Sequence, residues 1–273
     1  MKYSINQHTE LYGVVGNPIG HSLSPIIHNA AFKEKGLNAL YLAFESEDIE
    51  GCIKGMRALP IKGMSVTIPY KTDVIPLLDE VDQLAEAIGA VNTVVNNNCR
   101  LIGYNTDAMG AFSALEEVVN VEGKSCIIIG AGGAARAIGY ILKKNNVEII
   151  IANRSKERGL ELSYELNSQF ISLDEVDNKP ADILINTTPL GMSPHTDLCP
   201  VPEQVLKKGM VVMDIVYNPI KTKLLSMAEG NGCVTINGLS MFVNQAAEQF
   251  RLWTGQEAPV EVMKEAAEKA LYE

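Results

Sequence analysis

Several stretches of this chain combine residue types and spacing that chemistry could use. The first is Cys126-Ile127-Ile128-Ile129-Gly130-Ala131-Gly132-Gly133-Ala134-Ala135-Arg136-Ala137. Its apolar, β-branched run predicts a buried strand, its glycines a sharp turn, and its Ala-rich continuation a helix. In that setting Gly130 permits the tight turn and Gly132 lets backbone approach a pyrophosphate. A helix starting near Gly133 and Ala134 presents unpaired N–H groups and the positive end of its dipole to the anion. Ala135 takes the third small position, where helix and strand pack closely. Gly-rich turns also arise from packing alone, and it is the strand, turn and helix context that favours a bound dinucleotide.

The second strand of such a unit speaks to the choice of dinucleotide. In NAD-specific units an acid about 20 residues past the glycines bonds the ribose 2′-hydroxyl. Here that strand ends in Ile151-Ala152-Asn153-Arg154-Ser155, with no acid. Arg154 and Arg158 offer guanidinium forks, and Ser155 beside Asn153 a hydroxyl, where a 2′-phosphate would lie; this favours NADP. The plainer alternative is that Ser155 caps the next helix and the arginines are solvated surface.

Gly16-Asn17-Pro18-Ile19-Gly20-His21-Ser22-Leu23-Ser24-Pro25 is a turn-rich loop ending in Ser24 as an N-cap before Pro25. Capping explains Ser24 but not Ser22, and two hydroxyls at a helix N-terminus could cradle a small carboxylate. In Ser65-Val66-Thr67-Ile68-Pro69-Tyr70-Lys71, a helix opened by Pro69 would put Lys71 in its first turn, where a cation opposes the macrodipole. Local stability gives no reason for that lysine. Held in a cleft, it can present a proton to a developing alkoxide or stabilise it as a cation. Asp107 is either a helix cap or the carboxylate that positions Lys71, and spacing leaves both open. Thr187 and Thr188, in Ile185-Asn186-Thr187-Thr188-Pro189, and Ile215, in Asp214-Ile215-Val216-Tyr217, each follow a strand. Ligands bind there in open α/β sheets. Met241 and Gln245, one turn apart on a helix, read by themselves as packing and a solvated face.

Hydrophobic patterning supplies the elements that must hold these residues. Strands are predicted over 11–15, 39–44 and 61–67, and helices over 25–35, 48–59 and, with a break near Asp79, 70–88. Strands 91–95 and 101–104 flank Asn96-Asn97-Asn98 as a hairpin. A helix from about Asp107 to Val119 leads into the polar stretch Asn120-Val121-Glu122-Gly123-Lys124, read as a domain boundary. A second series follows, with strands at 125–129, 147–152, 182–186, 210–214 and 233–236 and helices at 133–144, 155–166 and 221–229. Such alternation predicts βαβ units and a largely parallel sheet. Helices 239–253 and 260–272 are surplus to that series and could pack back on the first domain.

Composition narrows the partners. At 273 residues with 47% hydrophobic content the chain can bury a sizeable core. A net charge of −10 argues against nucleic acid or an anionic membrane surface. Five scattered cysteines form no CxxC pair, and His21 and His28 lack an acidic partner at metal-ligand spacing. The N-terminus has no signal-like apolar region, and no run approaches the about 18 apolar residues of a membrane span. These features lead to the expectation of a cytoplasmic, unprocessed protein with reduced thiols and no metal.

Read in order, Ser22-Leu23-Ser24-Pro25, Thr67-Ile68-Pro69-Tyr70-Lys71, Asn105-Thr106-Asp107, Gly130 to Ala137 and Asn186-Thr187-Thr188-Pro189-Leu190-Gly191-Met192 resemble the shikimate/quinate dehydrogenase family. The likeness runs from Gly13 to Gly255. It implies an α/β fold with an N-terminal α/β substrate-binding catalytic domain (1–106 and 240–273), a Rossmann-type NADP-binding domain (107–239), and a C-terminal helix returning to the first domain. It implies reversible reduction of 3-dehydroshikimate by NADPH, in a monomer or homodimer. Ser22 and Ser24 would bind the substrate carboxylate. Thr67, Lys71, Asn92, Asp107 and Gln245 would contact ring hydroxyls, with Lys71 and Asp107 as the catalytic pair. Tyr217 and Gly238 would border substrate and nicotinamide, and Met241 would seat the nicotinamide. Two residues depart from the family pattern. Ser65 stands in the substrate face where Asn is usual and reaches less far, and Ser240 stands where Gly is common. The first makes a quinate/shikimate dehydrogenase that also uses NAD an alternative. A dinucleotide-sensing protein without turnover is the other.

Overall fold

The apolar runs of the first hundred residues line up in a single sheet. In the computed structural model, which describes residues 5–272, these are β1 (Glu10–Gly16), α1 (Ser24–Glu34), β2 (Ala39–Glu45), α2 (Ile49–Ala58), β3 (Ile61–Val66), β4 (Glu80–Val81), α3 (Gln83–Ile88), β5 (Thr93–Asn97) and β6 (Arg100–Tyr104). The sheet order is β2-β1-β3-β5-β6-β4. Its β1, β2 and β3 are parallel, while β5 is antiparallel to both β3 and β6. The sheet is therefore mixed rather than largely parallel, because a two-residue turn can only join antiparallel strands. That turn is Asn98-Cys99, with φ of +53° and +69°, one residue past the centre of the Asn triplet. Asn96 stays in the strand, and its Oδ1 accepts from Cys99 N at 2.8 Å.

The helix predicted over 70–88 does not form. The chain makes turns, a single 3-10 turn at Ile75–Leu77, then β4 and α3. Pro76 has no N–H to donate and disfavours helical backbone at Ile75. Asp82 starts α3 afresh by accepting from Leu84 N at 2.9 Å, and Gly89 ends it at φ +71°.

The following segment contains α4 (Asp107–Glu116), β7 (Ser125–Ile129), α5 (Gly133–Lys144), β8 (Glu148–Ala152), α6 (Lys156–Glu165), β9 (Gln169–Ile171), β10 (Ile183–Asn186), β11 (Val211–Asp214), α7 (Lys223–Gly230) and β12 (Val234–Ile236). Every strand pair is parallel, in the order β12-β11-β10-β7-β8-β9. Numbered within the segment this is 3-2-1-4-5-6 from the β9 edge, the Rossmann order. Both sheet faces are covered: Cys126 and Ile128 enter one core cluster, Ile127 and Ile129 the other. A doubly buried parallel strand needs such an unbroken apolar run. Strand β9 is not expected from the sequence, because three residues carry no period.

Two helices close the chain, α8 (Gly238–Thr254) and α9 (Val260–Tyr272). The chain divides into two units, Met1–Thr106 with Val243–Glu273, and Asp107–Phe242; the second dividing point falls within α8. Helix α9 packs against α1, and Trp253 of α8 sits among Tyr12, His28 and Tyr41, so the C-terminal helices do return to the first unit. Among the described residues no helix is long and apolar enough to cross a membrane.

Trp253 also explains a glycine. A Cβ on Gly63 of β3 would lie 2.3 Å from Trp253 Nε1, an atom that donates to Val94 O at 3.1 Å. Gly63→Ala is expected to destabilise the protein by about 1–3 kcal/mol through overpacking. Gly55→Ala on α2, where a Cβ meets nothing within 4 Å, should instead stabilise it by up to about 1 kcal/mol. Calorimetric melting of both variants checks the pair; equal shifts would refute the close packing of Trp253 on Gly63.

Candidate active site

In the parallel unit, the residues singled out from the sequence gather at the carboxyl ends of the strands. Gly130 follows β7 at φ +114°, and a Cβ there would lie 2.4 Å from Thr187 Oγ1, so only glycine fits. Thr187 donates its hydroxyl to Ile129 O at 2.6 Å, which draws the loop after β10 against this turn. Gly132 is the N-cap of α5 and no side chain caps the helix. A Cβ at Gly132 would meet nothing within 4 Å. The N–H groups that open α5, from Gly133 and Ala134, thus face a space that a pyrophosphate can approach. Ala135 is buried in the core beneath.

At the end of β8, Ser155 caps α6, accepting from Arg158 N, and Asn153 Nδ2 donates to Ser155 O at 2.9 Å. The capping alternative is therefore realised, and it leaves the Ser155 hydroxyl hydrogen available. Arg154 and Arg158 are exposed, and among the described residues neither has an ion-pair partner. No acid ends β8 to repel a 2′-phosphate. Further along, Gly238 presses against the loop after β11: a Cβ would lie 2.3 Å from Ile215 O. Tyr217 stacks on Phe242 with centroids 4.6 Å apart, and Met241 is buried in the core of this unit.

One residue here was not singled out from the sequence. Asp214, the last residue of β11, is buried with no exposed surface. Burial pushes its carboxyl up to about 6, against the opposing pull of hydrogen bonds from Thr222, Val216 N and Asn186. The available signal was an acid ending an otherwise apolar strand.

The first unit assembles a different surface. Ser24 is not the N-cap of α1: that position is Leu23, which makes no side-chain cap bond, and Ser24 is the first helical residue. Its hydroxyl instead lies beside that of Tyr41, while Ser22 Oγ accepts from Ser24 N at 3.3 Å. Tyr41 donates to Ser65 Oγ at 2.6 Å, and Ser65 donates to Gln249 Oε1 at 2.9 Å. The Gln249 amide donates to Thr93 Oγ1 at 3.0 Å and Asn92 O at 3.4 Å. Thr93 donates to Asn92 Oδ1 at 2.8 Å, and Asn92 Nδ2 donates to Thr106 Oγ1 at 3.0 Å. Thr106 Oγ1 reaches Gln245 Oε1 at 3.5 Å. Gln245 is only 8% exposed, so it is not on a solvated face.

One network thus joins Ser65, Asn92 and Gln245, and Ser24 lies at its Tyr41 end. Tyr41, Thr93, Thr106 and Gln249 connect them and were missed; the one hint was Gln249 recurring four residues after Gln245 on α8. Thr67 and Lys71 lie on the turn after β3. Thr67 N donates to Val15 O at 3.0 Å and Tyr70 N to Thr67 O at 2.9 Å. Lys71 is half-buried, its carbonyl accepting from Val91 N at 2.8 Å. Because no helix starts at Pro69, Lys71 opposes no macrodipole, contrary to the expectation from sequence. Asp107 is buried at the first position of α4, directly after Thr106.

A Rossmann unit with an open pyrophosphate turn, joined to an α/β unit with a buried polar floor, defines an α/β dinucleotide-dependent oxidoreductase. The chain matches the family descriptions "shikimate dehydrogenase substrate binding domain" over residues 14–94, "shikimate / quinate 5-dehydrogenase" over 113–219, and "shikimate 5′-dehydrogenase C-terminal domain" over 238–268. The shikimate dehydrogenase (NADP(+)) of Pyrococcus furiosus is 47% identical over 269 residues, spanning 96% of this chain and 97% of that protein. A crystal structure of a shikimate dehydrogenase in complex with NADP+ superposes with a TM-score of 0.93 at 46% identity, covering 98% of both chains. The Thermus thermophilus shikimate 5-dehydrogenase, in complex with NADP(H) and shikimate, gives 0.89 at 34% identity over 96% of this chain and all of that one. The chain belongs to the shikimate dehydrogenase family.

His28 offers a direct check on the buried floor. It is stacked on Tyr41 at 4.4 Å, and its Nε2 lies 3.3 Å from Gln249 Oε1. An amide oxygen only accepts, so Nε2 carries the hydrogen. Burial pushes the imidazole down to about 3. Below pH 6.5 the unfolded chain takes up a proton that the folded one refuses, so this contribution is intact above 6.5 and is lost as pH falls toward 3. Between about pH 6.5 and pH 5 the loss is about 2 kcal/mol. His28→Gln should remove that component, so that melting temperatures at about pH 7 and about pH 5 lie closer together than in the wild type; an unchanged gap would contradict the buried neutral histidine.

Proposed function

We propose that the protein catalyses the reversible, NADPH-dependent reduction of 3-dehydroshikimate to shikimate, in the biosynthesis of chorismate and the aromatic amino acids. The observation that carries the reading is the pairing of an uncapped α5 N-terminus with a β8 end that has two exposed arginines and no acid, in a chain 47% identical to an NADP(+)-dependent family member. When bound, NADPH supplies the hydride that reduces the carbonyl carbon. Gly130, Gly132, Gly133 and Ala134 receive its pyrophosphate. Asn153, Arg154, Ser155 and Arg158 hold the 2′-phosphate, where Arg forks match phosphate oxygens. Thr187, Thr188, Ile215, Gly238 and Met241 border the nicotinamide half.

On the substrate side, Ser22 and Ser24 bind the carboxylate, and Thr67, Asn92, Gln245 and Tyr217 orient the ring, with Ser65 in the floor behind them. Lys71 gives the proton to the developing alkoxide, and Asp107 is its carboxylate partner. The scattered free thiols fit a reducing cytoplasm, and the protein acts as a monomer or homodimer. Shikimate and quinate, each paired with NADP+ and NAD+ and followed by the absorbance of the reduced nicotinamide, test the reading. Fastest turnover with shikimate and NADP+ supports it. Faster quinate or NAD+ turnover overturns the specificity, and nucleotide binding without any turnover favours a sensor.

Lys71→Ala should lower kcat by roughly 10²–10⁴-fold, the range for a lost general acid, with KM for shikimate changed only a few-fold; an effect confined to KM would remove Lys71 from proton transfer. Arg154→Ala should weaken NADPH about tenfold, the worth of one charge-assisted phosphate contact, and leave NADH use nearly unchanged. Equal losses with both cofactors in steady-state assays would exclude the 2′-phosphate contact.

A further inference from the structure

Asp214 has no place in the chemistry just described, yet three segments converge on it. Its Oδ1 accepts from Asn186 Nδ2 at 2.9 Å and from Val216 N at 3.1 Å. Its Oδ2 accepts from Thr222 Oγ1 at 2.7 Å, and Thr222 caps α7. Asn186, the last residue of β10 and also fully buried, faces Asp214 in the sheet register. Its own Oδ1 accepts from Thr188 N at 3.0 Å and Thr188 Oγ1 at 2.7 Å, and its Nδ2 also reaches Leu190 O at 3.3 Å. Backbone adds one more tie, Ile215 N to Asn186 O at 3.1 Å.

A single carboxylate therefore sets the loop after β10, the loop after β11 and the first turn of α7 relative to one another. Stability is a poor explanation for it. Taking a carboxylate out of water costs more than neutral partners return, and for Asp214 burial outweighs the three donors in pushing the carboxyl up. A well-packed apolar side chain would serve the core better. What an apolar side chain cannot do is hold Asn186 Nδ2 and Val216 N in fixed directions. Those two groups fix the backbone on which Thr188, Ile215 and Tyr217 are mounted.

We infer that Asp214 is a positioning residue for cofactor binding: through Asn186 and Val216 it locks the Thr187-Thr188 and Ile215-Val216-Tyr217 segments in the conformation that receives the nicotinamide half of NADP(H). This role rests on the proposed function, which places those segments at the nicotinamide. It separates geometry from charge, because the links to Asn186 and Val216 need an acceptor at Oδ1, not an anion. An Asn at position 214 can supply that carbonyl oxygen while its amide donates to Thr222 Oγ1.

The test is titration calorimetry with NADP+ on wild type, Asp214→Ala and Asp214→Asn, together with steady-state kinetics and melting temperatures. Asp214→Ala should weaken NADP+ roughly tenfold, the effect of unpinning buried hydrogen-bonded backbone, while KM for shikimate, to which only Tyr217 of the loosened segments contributes, rises less, by about two- to threefold. Asp214→Asn should restore most of the affinity. If Asp214→Ala does not fold, Thr222→Val, which removes the Oδ2 donor together with the α7 cap at nearly constant volume, should weaken NADP+ about threefold with KM for shikimate again changed less. Wild-type affinity for NADP+ in Asp214→Ala (or, if that variant does not fold, in Thr222→Val), equal weakening of nucleotide and shikimate, or no rescue by Asn overturns the positioning role and leaves the functional reading standing. Failure of the wild type to bind NADP+ overturns the functional reading and the positioning role with it.

Discussion

A buried amide cannot fall back on water, and the substrate-side unit is organised around that constraint at Gln249. It is 2% exposed, and its partners come from α1, β3, β5 and the residue just before β5: His28 and Ser65 at the oxygen, Thr93 Oγ1 and Asn92 O at the nitrogen. Each unmade bond in such a place costs about 1–3 kcal/mol. The elements that carry the partners are therefore held to one register. A one-residue slip of β3 or β5 would turn Ser65 or Thr93 to the opposite face of the sheet. The aromatic packing of His28, Tyr41 and Trp253 around the network keeps it dry, which strengthens the bonds that are made and penalises any that are not.

The parallel unit meets the analogous demand at its strand ends. Strands that are apolar on both faces leave no room for polar groups in their middles, so the residues that can do chemistry are confined to the last position of each strand and the loop beyond. Gly130, Asn186 and Asp214 all occupy such positions, and their interactions run between neighbouring strand ends: Thr187 to Ile129, Asn186 to Asp214, Ile215 to Asn186. The lack of a Cβ at Gly130 and at Gly238 is what lets these loops close on one another.

What could be read from the sequence follows from how local each signal is. The strand, turn and helix at Gly130, the cap at Ser155 and the alternation of the parallel unit depend on neighbours within a few residues, and they were legible. The stretch 70–88 misled because its apolar spacing suits a helix, whereas Pro76 and the Asp82 cap divide it. Ser24 before Pro25 is a good local cap signal, and only the position of Tyr41, 17 residues away, shows that its hydroxyl has another use. Gln249 and Asp214 were invisible for a stronger version of the same reason. Gln249 is defined by partners 156 to 221 residues distant, and Asp214 by an asparagine 28 residues upstream. A lone Gln on a helix and a lone Asp at a strand end carry no such information.

The neutral floor of the substrate-side unit also bears on why serine is found at position 65. Hydroxyls have one hydrogen each, so the order of donation is determined along the chain. Ser65 gives its hydrogen to Gln249, whose oxygen can only accept; Tyr41 gives its own to Ser65, so towards the neighbouring Ser24 hydroxyl it can only accept. The order of donation in the floor is therefore set by the protein's own groups. An asparagine at 65 could likewise accept from Tyr41 and donate to Gln249, but through two atoms held in fixed directions on a longer side chain, where serine uses a single rotatable hydroxyl for both. Serine at position 65 thus fixes the direction of the hydrogen bonds that run on through Gln249 to Thr93 and Asn92.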